Sequence, residues 1–157
     1  MRITDVRVTL WEWRDIPPVR YTRTVASSQS GKTQMGLIRI STDEGVDGYA
    51  FMGSALGSAQ NLVPVIVQAL KPMLMGEHPL ARERIWQTMM RRLRGQYLTA
   101  ISAVDVALWD LAGRYAGVPV HRLIGSYRNS IPAYASSAVM DTPEAYARKY
   151  YAGLLAG

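Results

Sequence analysis

The sequence predicts an α+β fold in which a three-stranded antiparallel meander precedes a helical bundle, and a further strand and helix follow. Two observations carry this. Near the N-terminus, apolar residues alternate with polar ones in short runs bounded by turn formers. From Ser58 onward the apolar period becomes that of a helix. With 157 residues, 48% hydrophobic and 19% charged, the chain has apolar surface for one modest core.

Ile3, Val6, Val8 and Leu10 predict a first strand over about residues 2–13. Residues 15–32 show no sustained period and contain Pro17, Pro18, Ser27, Ser28, Ser30 and Gly31. A loop longer than about 12 to 15 residues without structure of its own is usually functional or disordered. A second strand spans 34–41, Asp43, Glu44 and Gly45 reverse the chain, and a third strand spans 46–52. Ser58 is an N-cap for one helix running toward Met75, kinked or delayed by Pro64 and ended by Gly76. Pro79 opens a second helix, with Ile85, Met89 and Leu93 on one face and Trp86 and Met90 flanking it.

In the third helix Ile101, Val104, Leu108, Leu111 and Tyr115 recur at helical spacing, while Ala100, Ala103 and Ala107 keep one flank small enough for close approach. Asp110 precedes Arg114 by four residues, the favourable order for a pair on one face, and Gly117 followed by Pro119 stops the helix. Periodicity here gives architecture and no chemistry. Asn129 and Ser130 mark a turn, 131–137 a strand of mostly small residues, and 142–155 a helix with Pro143 at its first position.

As a pattern of particular residues, Ala100, Ser102, Ala103, Val104, Asp105, Ala107, Leu108, Asp110, Leu111, Gly113, Arg114, Pro119, Val120, Leu123, Ile124 and Gly125 resemble the signature of the mandelate racemase and muconate lactonizing enzyme family, within the enolase superfamily. The resemblance continues through GEHPLARERIW and IPAYASS along most of the chain. It implies an enolase-like N-terminal capping domain at 1–125, followed at 126–157 by the first strand and helix of an incomplete TIM barrel. A complete (β/α)8 barrel needs on the order of 250 residues. The expectation is therefore a fragment whose barrel lies beyond Gly157.

The resemblance also implies an activity for the full-length parent. It is that of a Mg2+-dependent enzyme abstracting the proton α to a carboxylate, an acid-sugar dehydratase or α-hydroxy-acid racemase. Its small-molecule partner is a carboxylate or acid sugar, and it is expected to be a cytoplasmic homo-oligomer. The family's Lys-x-Lys strand and metal carboxylates are absent from this sequence, so the fragment alone is expected to be inactive, with no catalytic or metal-ligating residue of its own. The cap instead supplies two loops over the barrel mouth, here about 19–30 and 51–58. Arg20, Tyr21, Arg23 and Lys32 then present cationic and hydrogen-bonding groups to the substrate, and Tyr21 and Phe51 pack on its carbon skeleton. At the end of the first barrel strand, Ser136 or Ser137 faces the site. Where many relatives have Gly-Trp-Gly-Glu, this chain has Gly48-Tyr49-Ala50-Phe51, which makes the second loop more apolar.

Several other classes of function find no support. The net charge of +6 and the arginines at 82, 84, 91, 92 and 94 bring no recognition motif for nucleic acid with them. No apolar run reaches the roughly 18 residues of a membrane span, and there is no cysteine for a disulfide framework. His78 and His121 stand apart from any partner at metal-ligand spacing. Asp105 and Asp110 lie roughly 140° apart around their helix, which rules out an acid and base pair on one face. Ser102 lacks nucleophile-elbow glycines, and GSALGS lacks the Lys-Ser of a phosphate loop. The remaining alternative is a stand-alone, cap-like interaction or oligomerisation module without catalysis.

Overall fold

The computed structural model describes residues 1–16, 31–54, 57–93, 96–133 and 142–148. Strands β1 (Ile3–Ile16), β2 (Gly31–Thr42) and β3 (Asp47–Met52) form one antiparallel sheet in the order β1-β2-β3. This is the expected meander, with β1 and β2 each extending beyond the predicted ends. The extension follows from pairing, since Trp13 still faces Thr33 and Ile16 faces Gly31 across a register shift. Asp15 absorbs that shift with φ 56, a left-handed conformation that Asp tolerates better than most residues.

The expected first helix forms as one unbroken helical run, changing type along its length: 3-10 at Ala59–Leu62, π-helical at Val65–Leu70, and α-helical at its end, α1 (Lys71–Leu74). Pro64, which lacks an N–H, is accommodated within the run with helical dihedrals, φ -57 and ψ -43, between the 3-10 and π-helical stretches. Ser58 caps as predicted, its hydroxyl accepting from the Gln60 N–H at 3.3 Å, and Gly76 ends the run with φ 77. The backbone of Ile3 closes the sheet onto this end, donating to the Glu77 carbonyl and accepting from the Gly76 N–H.

Helix α2 (Arg82–Leu93) starts three residues later than Pro79 suggested. Residues 78–81 form a turn instead, in which the Leu80 N–H donates to His78 Nδ1 and the Ala81 N–H to the His78 carbonyl. Helix α3 (Leu98–Ala116) is the signature helix and ends at Gly117 with φ 67, as expected. Short α4 (Val120–Leu123) and α5 (Pro143–Tyr146) follow, the latter capped by the Thr142 hydroxyl. Of the predicted strand 131–137, residues 131–133 form no strand pairing and 134–137 lie outside the described residues. Half of the predicted last helix, 149–155, also lies outside them.

The core sits between the sheet and α3. Ile38, Ile40, Ile66, Leu70, Leu74, Met89, Ile101, Val104, Leu108 and Leu111 are fully buried, each side chain contributing about 1.5–3 kcal/mol of apolar burial. Ala107 allows the close approach its size suggested. A Cβ at Gly48 on β3 would overlap the Ala107 carbonyl and Leu111. Asp110 then locks the seam: its Oδ2 accepts from the Tyr49 N–H at 2.9 Å and from Arg114 Nε at 2.8 Å. Tyr115, expected on the apolar face, is half-exposed. Strand β3 begins at Asp47 and meets α3 at Ala107 and Leu111, so the last helical turn has no sheet beneath it.

Candidate functional site

Antiparallel pairing decides where the loops emerge. Strand β1 ends, and β2 begins, at the edge of the sheet where Ile16 faces Gly31. Strand β3 runs parallel to β1, and its last residue, Met52, is level with Gly36 and Leu10. Both of the long connections singled out from the sequence, after β1 and after β3, therefore leave the same end of the sheet.

At the base of the first connection, Glu12 gathers Lys32 at 3.1 Å and Arg14 at 2.5 Å. The Lys32 hydrogen bond, followed by that of Arg14, holds the Glu12 carboxyl below the usual glutamate range. Together with Asp15 these side chains line an open cavity of about 510 Å³. Lys32, expected to face a substrate anion, is thus engaged by a neighbouring carboxylate, because residues 12 and 32 belong to adjacent strands near the turn.

The second connection is built on tight backbone geometry. Gly53 takes φ 88, and a Cβ there would press on the Gln34 carbonyl and on Ala59. Ser54 and Gly57 exchange two backbone hydrogen bonds, of 2.8 and 3.3 Å, and the Ser54 hydroxyl accepts a third from the Gly57 N–H. Gly53, Ser54, Gly57, Ser58, Asn61 and Leu62, with Thr99 from the start of α3, line a cavity of about 490 Å³. Its walls carry hydroxyl and amide groups and no formal charge, which suits hydrogen bonding to a polar, uncharged part of a ligand.

Besides Lys32, Phe51 is the one predicted site residue among those described. It stands 73% exposed on the outer sheet face next to the second connection, its ring edge-to-face with Trp11 at 5.9 Å. Register explains the pair, since Trp11 faces Met35 and Phe51 faces Leu37 two residues along. Arg20, Tyr21, Arg23, Ser136 and Ser137 lie outside the described residues. The sequence reading missed the Glu12 cluster and Trp11. Their strand alternation was visible, but the partners are remote in sequence.

Residues 3–125 match the family described as mandelate racemase / muconate lactonizing enzyme, N-terminal domain. The chain is 35% identical over 144 residues to the D-galactarolactone cycloisomerase of Agrobacterium fabrum, covering 88% of this chain and 36% of that enzyme. Among solved structures, a racemase from Streptomyces coelicolor A3(2) with bound magnesium superposes with a TM-score of 0.80 at 28% identity, over 99% of this chain and 44% of that one. D-glucarate dehydratase from Agrobacterium tumefaciens, complexed with magnesium, gives 0.65 at 30% identity, over 86% of this chain and 35% of that one. The chain spans about a third of the length of the curated relatives it matches. These relatives include cycloisomerases and dehydratases, so the likeness extends to a superfamily and not to one reaction. With its meander, its signature helix and both loop-bearing strand ends in place, the chain belongs to the mandelate racemase/muconate lactonizing enzyme family, of which it presents the N-terminal domain.

Proposed function

We propose that this chain is the lid-bearing N-terminal part of a parent enzyme that removes the proton α to a carboxylate, with acid-sugar dehydration or α-hydroxy-acid racemization as the outcome. The observation that supports it best is the emergence of both connections from one end of the sheet, where they can close over a common substrate. Such lids exclude water, which strengthens charge interactions inside the closed site. Residues 1–125 are the cap and 126–157 the start of a barrel in this reading. In the first loop Arg20 and Arg23 pair with the substrate carboxylate and Tyr21 packs on its skeleton. Phe51 does the same from the second, and Ser136 or Ser137 faces the substrate from the barrel side.

Magnesium is named with two of the solved relatives. Among the described residues no three His, Cys, Asp or Glu side chains are grouped so that a metal ion could be held. The described residues do not fit the ion, and in this reading its ligands belong to the rest of the parent.

The test is proton exchange. The full product of the parent gene is incubated in D2O with Mg2+ and a panel of aldonic, aldaric and α-hydroxy acids, and deuterium at Cα is read by NMR. Exchange is expected with at least one acid sugar, and none with the 157-residue chain alone. Phe51→Ala in the parent should raise KM about tenfold with kcat little changed, the mark of lost uniform binding. A parent that exchanges no substrate of the panel overturns the reading.

A further inference from the structure

Helices α2 and α3 enclose a cleft that shares no lining residue with the cavities at the loop end. Arg82, the first residue of α2, places its guanidinium 3.2 Å from the ring centroid of Trp109 on α3. The cation–π contact holds the head group in place. Its Nε and Nη1 are closed off from solvent, yet neither donates to any acceptor. Unmatched buried donors are rare in folded proteins and commonly mark a water or ligand position. Asp105, one helical turn before Trp109, faces the same cleft together with Glu83 and Trp86, around a cavity of about 260 Å³. Burial pushes the Asp105 carboxyl above the usual aspartate range, against the pull of Arg82.

The chemistry of the lining selects among occupants. A carboxylate would accept from Arg82 but would be repelled by Asp105 and Glu83. An ammonium group would suit the two carboxylates but would be repelled by Arg82 and leave its donors unmatched. A hydroxyl group both accepts and donates, so one hydroxyl satisfies Arg82 and Asp105 together. Trp86 adds an apolar indole wall against which the C–H side of a carbon skeleton can pack. The volume falls just below the roughly 300–1,000 Å³ of typical ligand pockets, which suits a single small ring or a short chain.

We propose that the α2–α3 cleft binds a neutral polyhydroxylated compound, a small sugar or polyol, with one hydroxyl bridging Arg82 and Asp105 and the carbon skeleton packed against Trp86. The indole N–H signals of the four tryptophans report on this directly. The 157-residue chain is titrated separately with D-glucose, sorbitol, sodium acetate and methylammonium chloride. A saturable, millimolar shift of the Trp86 and Trp109 signals with glucose or sorbitol is expected, with Trp11 and Trp13 unmoved. Arg82→Met should weaken binding about tenfold, the loss expected for one charged hydrogen bond. Asp105→Asn, nearly isosteric, should weaken it severalfold and serves if the first variant does not fold. Absence of any shift with either polyol, as when water alone fills the cleft, overturns the proposal. So does a response confined to acetate or to methylammonium, an equal movement of all four indoles, or unchanged affinity in a folded variant.

Discussion

The seam between β3 and α3 and the stretch from Pro119 to Ala133 are both rich in apolar residues, but their fates differ. On α3, nine residues are buried, and Gly48, Ala107 and Leu111 meet at backbone distance. In the second stretch Ile124, Tyr127 and Ile131 stand 62%, 89% and 77% exposed, and α4 buries nothing. Apolar content alone does not produce burial. A facing surface with the right spacing is also needed, and β3 supplies one to α3, while in the later stretch Val120 packs beside Gly113 of α3 and Ile124, Tyr127 and Ile131 stay exposed. Exposed apolar residues in such a row mark a surface that another polypeptide covers or that drives association.

The sharpest way to break this contrast is Gly48→Val. A branched side chain at the point of closest approach forces β3 and α3 apart, and we expect a loss of about 3 kcal/mol in urea unfolding, at the upper end for overpacking. A loss well under 1 kcal/mol would mean that the seam is looser than its geometry. Asp110→Ala comes next. It removes the acceptor shared by the Tyr49 N–H and Arg114, and about 1–2 kcal/mol should be lost, in keeping with a partly exposed charge-assisted bond. Hydrogen exchange at the Tyr49 amide should quicken at the same time, and an unchanged rate would place its protection elsewhere.

A third prediction concerns pH at the opposite edge of the sheet. Lys71 donates to Asp5 Oδ1 at 2.6 Å and, with Arg7 assisting and burial opposing, holds the carboxyl below its ordinary value. A depressed aspartate contributes stability that is present above its unfolded-state pKa of about 3.9. That contribution is lost as pH falls through the lower folded value. Lys71→Met should therefore cost about 1 kcal/mol at neutral pH, as for other partly exposed pairs. The gap from wild type should narrow in unfolding curves taken below pH about 4. A constant gap would assign the loss to packing of the lysine stem.

The smallest effect belongs to the exposed stretch. Ile124→Ser should change stability by less than about 0.5 kcal/mol, as for surface positions generally, while reducing self-association measured by light scattering. A clean monomer before the substitution would remove association as the role of this surface.

Much of this was legible in the order of residues. Alternation at Ile3, Val6, Val8 and Leu10 marked β1, the small residues of α3 marked a close approach, and Ser58, Gly76, Gly117 and Thr142–Pro143 marked helix ends, because each acts through its own backbone or its near neighbours. The density of matched positions from Ala100 to Gly125 likewise identified the family. The start of α2 was misplaced because His78 accepts from the turn that Pro79 was expected to open. The fate of Tyr115 depended on where β3 happens to begin.

What the chain's own order determined was the sequence of elements, their punctuation and their family. Tertiary structure alone decided which distant groups meet: Asp110 with the Tyr49 amide, Glu12 with Lys32, Arg82 with Trp109, and the two loop-bearing strand ends on one side of the sheet. The physical reason is range. Caps, turns and periodicity are settled within a few residues, whereas ion pairs, buried donors and cavities exist only after strand register and helix packing have brought remote residues within a few ångströms.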